Sequence, residues 1–211
     1  CAPADICAIG AHGQTVRHRP EAGYSLQLNA PARLAELTQI DVVADFRSRD
    51  LAAGGQGAPL VPAFHAAAFS AEAPRAVVNI GGISNVTYLP DGEQEVLGFD
   101  CGPGNLLLDA WATQHRAEPF DRDGEFAATG RLDPQLLARL LAEPFLALAP
   151  PKSTGRELFS QAWLGKALAG TARSPQDVQR TLTEFTARCI GDAIERWCAS
   201  AHDIVVCGAE P

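Results

Sequence analysis

The 211-residue chain carries a formal net charge of −8, with 46% hydrophobic and 20% charged residues. An acidic balance with no basic run excludes nucleic acid as a partner, because phosphate contacts need clustered Lys and Arg. No apolar stretch reaches the roughly eighteen residues that a membrane span needs, which argues against a membrane partner.

The six cysteines (Cys1, Cys7, Cys101, Cys189, Cys198 and Cys207) form no Cys-x-x-Cys pair. They read as reduced, buried small residues in a cytoplasmic protein, and no ligand spacing for a metal is seen. The chain begins at Cys1, contains no Met, and stops just as the apolar run Val205-Val206-Cys207 reaches Gly208. The expectation is a piece with material missing at both ends.

In chain order, residues 5–10 read as a short apolar strand, followed by the polar cluster His12-Gly13-Gln14-Thr15. Ligands in open α/β sheets sit beyond strand ends, so this cluster is either a site or an ordinary turn. Residues 24–29 alternate like a strand, 31–37 read as a helix with Pro31 in its first turn, and 41–46 as another strand. Arg47-Ser48-Arg49-Asp50 then precedes a Gly-rich loop, Gly54-Gly55-Gln56-Gly57. The two arginines suit an anion clamp, while an internal ion pair of Arg47 with Asp45 or Asp50 would fix the loop instead. Residues 62–69 are helix-like, and His65 on that helix reads as a packed or surface residue. The cluster 70–74 is the expected boundary between two domains, 1–73 and 74–211.

The second part opens on Asn79-Ile80-Gly81-Gly82-Ile83-Ser84-Asn85, two strands joined by a tight glycine turn. Glycines let backbone N–H groups approach an anion, and Ser84 and Asn85 add side-chain donors. A strand at 95–99 ends in Asp100, and the turn Cys101-Gly102-Pro103-Gly104 leads into a helix over 105–114 with Asn105 at its N-cap. That turn lies at a helix N-terminus, where an anion is favoured. Asp109, one turn in, reads as helix surface, which leaves Asp100 as the chemical candidate. Asp121-Arg122-Asp123-Gly124 lacks calcium-site spacing and reads as a turn before helix 125–128, and 135–141 is a further helix. Pro150-Pro151-Lys152-Ser153-Thr154-Gly155-Arg156-Glu157 falls short of a P-loop and reads as a loop carrying Lys and Arg beside hydroxyls, or else as a helix entry capped by Ser153 or Thr154. Ser174 caps a long helix to about residue 200 with Val178, Leu182, Phe185, Cys189 and Trp197 at helical spacing, and 203–207 forms the last strand.

Six stretches, in order, resemble the anhydro-N-acetylmuramic acid kinase family of the sugar kinase, actin and Hsp70 ATPase superfamily. They are Ile9-Gly-Ala-His-Gly-Gln-Thr-Val16, residues 45–59, Asn79-Ile-Gly-Gly-Ile-Ser-Asn85, Phe99-Asp-Cys-Gly-Pro-Gly-Asn105, residues 150–157 and Asp177-Val-Gln-Arg-Thr-Leu-Thr183. The resemblance implies a two-lobed ribonuclease H-like ATPase (actin-like) α/β fold, here incomplete at both ends. It implies ATP and Mg²⁺ as cofactors, an amino-sugar substrate, and a kinase that opens 1,6-anhydro-N-acetylmuramic acid and phosphorylates it for cell-wall recycling. Homodimerisation is left open.

Carried onto this chain, Asp100 is the catalytic base. Asn79, Gly81, Gly82, Ser84, Asn85, Gly102 and Gly104 hold phosphate or ATP, and His12, Gln14, Thr15, Arg47 and Asp50 line the sugar side. The family's opening Gly-Thr-Ser-x-Asp-Gly loop is absent, and its Cys-Gly-Gly-Gly-Ala motif breaks after Cys207-Gly208. The isolated piece is therefore expected to be inactive. The alternatives are another sugar or carboxylate kinase of the superfamily, an actin- or Hsp70-like ATP switch, or an inactive nucleotide-binding remnant.

Overall fold

Two compact units divide the chain, residues 1–60 and 61–211. The computed structural model describes residues 5–69, 73–92, 94–170 and 172–208. Cys1, most of the expected boundary at 70–74 and the closing Ala209-Glu210-Pro211 lie outside the described residues. The elements are a mixture of helices and strands, an α/β protein.

In the first unit, β1 (Ile9–Ala11) pairs in parallel with β4 (Val42–Ala44), and β2 (Gln14–Arg19) pairs antiparallel with β3 (Tyr24–Leu28). The polar cluster after β1 is therefore only partly loop, since Gln14 and Thr15 begin β2. Helix α1 (Pro31–Thr38) starts on its proline as expected. Ser48, Arg49 and Asp50 belong to a short helix, α2 (Ser48–Ala52), where the sequence suggested only a lead into the loop. Its Leu51 is buried.

The second unit is organised by a four-stranded sheet of β5 (Arg75–Ile80), β6 (Ile83–Leu89), β7 (Leu97–Pro103) and β8 (Asp203–Gly208), in the order β7-β6-β5-β8. β5, β6 and β7 form an antiparallel meander, and β8 returns parallel to β5. Ala76, Val77 and Val78 on the inner strand β5 are all buried. That is why this segment reads as a continuous apolar run rather than an alternation. Between β7 and β8 lie α4 (Leu106–Arg116), α5 (Glu125–Ala128), α6 (Pro134–Leu141), α7 (Pro144–Ala147), α8 (Gln161–Leu168) and α9 (Pro175–Trp197). The sequence reading missed α7 and α8 and ended β7 four residues early.

Helix α9 joins two cores. Its Val178, Leu182, Phe185 and Cys189 enter a helical cluster with Leu107, Leu136, Leu140, Phe145, Phe159 and Leu164. Further along, Ala193 packs on the sheet with Val78, Val86, Phe99 and Cys101, and partly buried Trp197 borders that cluster. Ser174 Oγ accepts from the Asp177 N–H at 3.1 Å, which is the expected cap. Asp133 caps α6 through the N–H groups of Gln135 and Leu136, and Arg173 Nε donates to its other oxygen at 2.5 Å. The Leu136 N–H and then the Arg173 guanidinium hold the Asp133 carboxyl below its ordinary value.

The division between units falls before α3 (Pro62–Phe69), not after it. His65 is buried, and its Nδ1 lies 2.8 Å from Thr87 Oγ1 on β6. Pro62 lies against Gly98 so closely that a Cβ there would meet it at 2.2 Å, and Arg75 Nη1 donates to Phe69 O at 3.0 Å. These contacts place α3 with the sheet that follows it. His65 is a packed histidine.

Burial pushes the His65 imidazole below its ordinary 6.5. The unfolded chain then takes up the proton first, so this contribution to stability is complete above pH 6.5 and declines as pH falls below it. Thermal unfolding is expected to show a midpoint that drops as pH falls below 6.5, and His65→Gln should remove that part of the drop. A decline of equal size in the variant would exclude His65 as its source.

Candidate functional site

The turn between β5 and β6 decides the geometry of the second unit. The tight turn joining the two strands is present, and neither Gly81 nor Gly82 has a positive φ in it. Their carbonyls face the start of α4. Gly82 O accepts from the N–H groups of Gly104 and Leu106 at 3.0 and 3.2 Å, and Gly81 O accepts from Asn105 N–H at 2.9 Å. These bonds use donors that an anion at this helix end would have taken. Asn105 occupies the N-cap position, but its side chain makes no capping bond.

Gly102 and Gly104 are buried, and 101–103 belongs to strand β7 rather than a turn. A Cβ on Gly104 would lie 2.1 Å from Gly81 O, and one on Gly102, whose φ is +154°, would press on Cys189 Sγ at 3.0 Å. Both glycines thus have a packing reason. Gly81 and Gly82 have none: added Cβ atoms would meet described neighbours no closer than 3.7 and 3.9 Å.

Strand register brings the polar candidates into one row. Asp100 pairs with Asn85, Asn85 with Asn79, and Asn79 with Cys207, across all four strands. Paired residues share a sheet face and lie about 5 Å apart. Cys207 Sγ donates weakly to Asn79 Oδ1 at 3.9 Å. Asn85 Oδ1 is buried with no hydrogen-bond partner, as is the fully buried Ser84 Oγ. Buried acceptors without donors are rare and mark places where a ligand or water supplies the missing partner.

Asp100 is 5% exposed. Its backbone N–H donates to Lys152 O at 3.0 Å, and its Oδ2 accepts from the Thr154 N–H at 2.8 Å. The segment 150–155 is the loop that the sequence suggested rather than a helix entry, and Thr154 presents its amide to the carboxylate. The reading from sequence missed Lys152 and Thr154 as partners of Asp100, and only the unusual Lys beside two hydroxyls hinted at a role.

Beside the hairpin opens a cleft of about 770 Å³, lined by Ile80, Asn105, Leu108, Asp109, Phe120, Asp121, Gly124, Gln179, Thr183 and the end of β8. Asp121 is occupied, accepting from the Phe126 and Ala127 N–H groups and from Gln179 Nε2. Burial raises the Asp109 carboxyl above its ordinary value. Gln179 is fully buried and its Oε1 has no partner. Neither Asp109 nor Gln179 was a candidate from sequence.

In the first unit, His12, Arg47 and Asp50 come together around Gly57. Arg47 Nε donates to His12 Nε2 at 3.1 Å and Arg47 Nη1 to Gly57 O, while Asp50 Oδ2 accepts the Gly57 N–H at 2.7 Å. Because an arginine N–H faces His12 Nε2, that nitrogen must accept. The ring proton is then on Nδ1, which donates to Gly13 O at 2.8 Å. A Cβ on Gly55 would lie 2.2 Å from the Asp50 carboxylate, so the loop wraps tightly on α2. Gln14 and Thr15 make other contacts, Gln14 to the Thr15 carbonyl and Thr15 Oγ1 to Gln27. Arg49 is exposed.

Together these features describe a mixed α/β protein with a buried carboxylate and a sterically unconstrained glycine turn at one end of a sheet, next to a cleft with apolar and polar walls. The model of the family described as anhydro-N-acetylmuramic acid kinase matches residues 1–210. The chain is 62% identical over 207 residues to the anhydro-N-acetylmuramic acid kinase of Bordetella petrii, covering 96% of this chain and 54% of that protein. It is 60% identical to the protein of that name from Bordetella pertussis, over 98% of this chain and 55% of the relative. The Variovorax paradoxus protein of that name is also 60% identical, over 96% of this chain and 57% of the relative. The chain belongs to the anhydro-N-acetylmuramic acid kinase family, and it spans about half the length of these curated relatives.

The contrast between glycines is directly measurable. Gly104→Ala forces its methyl into the Gly81 carbonyl and is expected to destabilise by about 1–3 kcal/mol, whereas Gly81→Ala should stay within about 0.5 kcal/mol. Denaturant midpoints at unchanged slope report both, and equal losses would show that the turn, not the close approach, sets the requirement.

Proposed function

We propose that the protein containing this segment is an ATP-dependent kinase. It opens 1,6-anhydro-N-acetylmuramic acid and phosphorylates the freed 6-oxygen to give N-acetylmuramic acid 6-phosphate in cell-wall recycling. Family membership supports the reading, and the observation that carries it is Asp100, a buried carboxylate held by Thr154 N–H beside the glycine turn. Asp100 takes a proton from a water that attacks C1 of the bicyclic sugar. The C1–O6 bond breaks with its electron pair on O6, which attacks the γ-phosphorus as the bond to the ADP oxygen breaks. Little else is asked of the protein in phosphoryl transfer beyond positioning and charge stabilisation.

ATP suits the second unit on three observations. Gly81 and Gly82 leave room for an approaching phosphate, the buried Ser84 hydroxyl has no partner and can donate to one with Asn85 alongside, and the adjoining cleft offers apolar walls at Ile80, Leu108 and Phe120. Asn79 stands in the same row. The N–H of Gly104 is committed to Gly82, so Gly102 and Gly104 serve phosphate by shaping the turn. Among the described residues, no group of three or more His, Cys, Asp or Glu could hold a metal. Mg²⁺ in this reading is held through phosphate oxygens and water, as is usual for that ion.

The sugar-side assignment of His12, Gln14, Thr15, Arg47 and Asp50 belongs to the same proposal, supported by the node in which Arg47, His12 and Asp50 meet around Gly57. So does the two-lobed ribonuclease H-like, actin-like fold. It is supported by the meander β5-β6-β7 followed by helices and a parallel β8. Cytoplasmic location completes the reading, supported by the free cysteines Cys7, Cys101, Cys189, Cys198 and Cys207. Among the described residues, no helix is long and apolar enough to cross a membrane.

The test uses a protein of the relatives' full length that carries this segment. Offered the anhydro-sugar, hexoses and acetate, it should phosphorylate the anhydro-sugar preferentially, and Asp100→Asn should lower turnover by at least about a hundredfold while sparing sugar binding. Preference for another acceptor, or unchanged turnover in the variant, would overturn the substrate or the base respectively.

A further inference from the structure

We propose that Lys152 is a positioning residue for Asp100, acting through the short loop it anchors. The inference rests on Asp100 being the base.

Lys152 is only 5% exposed. Among the described residues no carboxylate forms an ion pair with it. Its Nζ donates instead to the carbonyls of Phe145 at 3.2 Å and Leu146 at 3.1 Å, both in α7, and lies 4.7 Å from the centre of the Phe145 ring. Burying an ammonium in this way is costly, and its ordinary place is on the surface. Burial also lowers its pKa. Nothing in the proposed chemistry uses that ammonium.

Its effect is mechanical. Residues 150–155 have neither helix nor strand, yet two backbone groups in this stretch grip Asp100 from outside its own sheet. Lys152 O takes the Asp100 N–H at 3.0 Å, and the Thr154 N–H reaches Oδ2 at 2.8 Å. Phe145, whose carbonyl and ring receive the ammonium, is itself seated in the helical core against Phe159. The chain of contacts therefore runs from that core through α7, Lys152 and Thr154 to the carboxylate. An amide donor favours the ionised carboxylate and fixes its rotamer, and both are needed by a base. The titratable and charged groups around Lys152 and β7 are Cys101 on β7 and Cys189, Asp192 and Arg196 on α9. None of these replaces the two backbone contacts.

In the full-length protein carrying this segment, Lys152→Met keeps the volume and removes the anchor. We expect kcat to fall on the order of ten- to a hundredfold with KM for ATP and sugar little changed. The acidic limb of the kcat–pH profile should move to higher pH, because a carboxylate that loses an N–H donor holds its proton more tightly. Thr154→Pro deletes the amide hydrogen itself and carries the same expectation, should Lys152→Met fail to fold. A fall in activity that tracks loss of folded protein, with the acidic limb in place, overturns the inference, as does an unchanged kcat. Asp100→Asn run alongside separates the two claims. If it leaves turnover intact, the base assignment is wrong. If it abolishes turnover while Lys152→Met and Thr154→Pro do not move the limb, only the role of Lys152 is wrong.

Discussion

Three hydrogen bonds to the turn at Gly81-Gly82 from Gly104, Asn105 and Leu106, where the chain enters α4, hold the second unit in its working shape. They require Gly104, because any side chain there would strike the Gly81 carbonyl. They also satisfy backbone donors that a helix start would otherwise leave to solvent or ligand. Thr186 on α9 adds a bond to Gly104 O at 2.9 Å, so sheet, α4 and α9 meet at one residue. The cleft beside the turn is bounded by those same elements, and its form follows from that junction.

The buried carboxylate is held on different terms. A charged group in a nearly dry position is tolerated only with strong partners, and Asp100 receives an amide N–H from a loop outside its sheet. That loop is in turn held by a buried lysine against the carbonyls of α7. Precision at the carboxylate thus draws on the helical core around Phe145, Phe159 and Phe185. Helix α9 connects this core to the one beneath the sheet, through Cys189 on one side and Ala193 on the other.

The first unit uses another device. Arg47 and Asp50, three residues apart, bind the carbonyl and the amide of the same residue, Gly57, and Arg47 also fixes the tautomer of His12. The arginine is thus a structural clamp before it is anything else, which is one of the two readings its neighbourhood allowed. Its described partners include a carbonyl and an imidazole, where the ion-pair alternative named Asp45 or Asp50. Asp45 instead accepts from Ser48 Oγ at 2.6 Å.

The sequence by itself determined the family and most of the elements. The apolar run of β5, the spacing of Val178, Leu182, Phe185 and Cys189, and the caps at Ser174 and Asp133 are local signals, written within a few residues of where they act. Asp100 stood out for the same reason, as an acid bracketed by glycines. Contacts between distant parts of the chain were decided only by the tertiary structure. Thr154 reaches Asp100 across 54 positions. Which glycines serve packing and which leave space depends on atoms that no local pattern names, since Gly104 meets Gly81 and Gly102 meets Cys189. A run such as 150–157 reads locally as a loop, yet nothing in it says where the loop points. Burial of Lys152 against α7 aims it at a carboxylate, and that burial exists only once the core has closed around it.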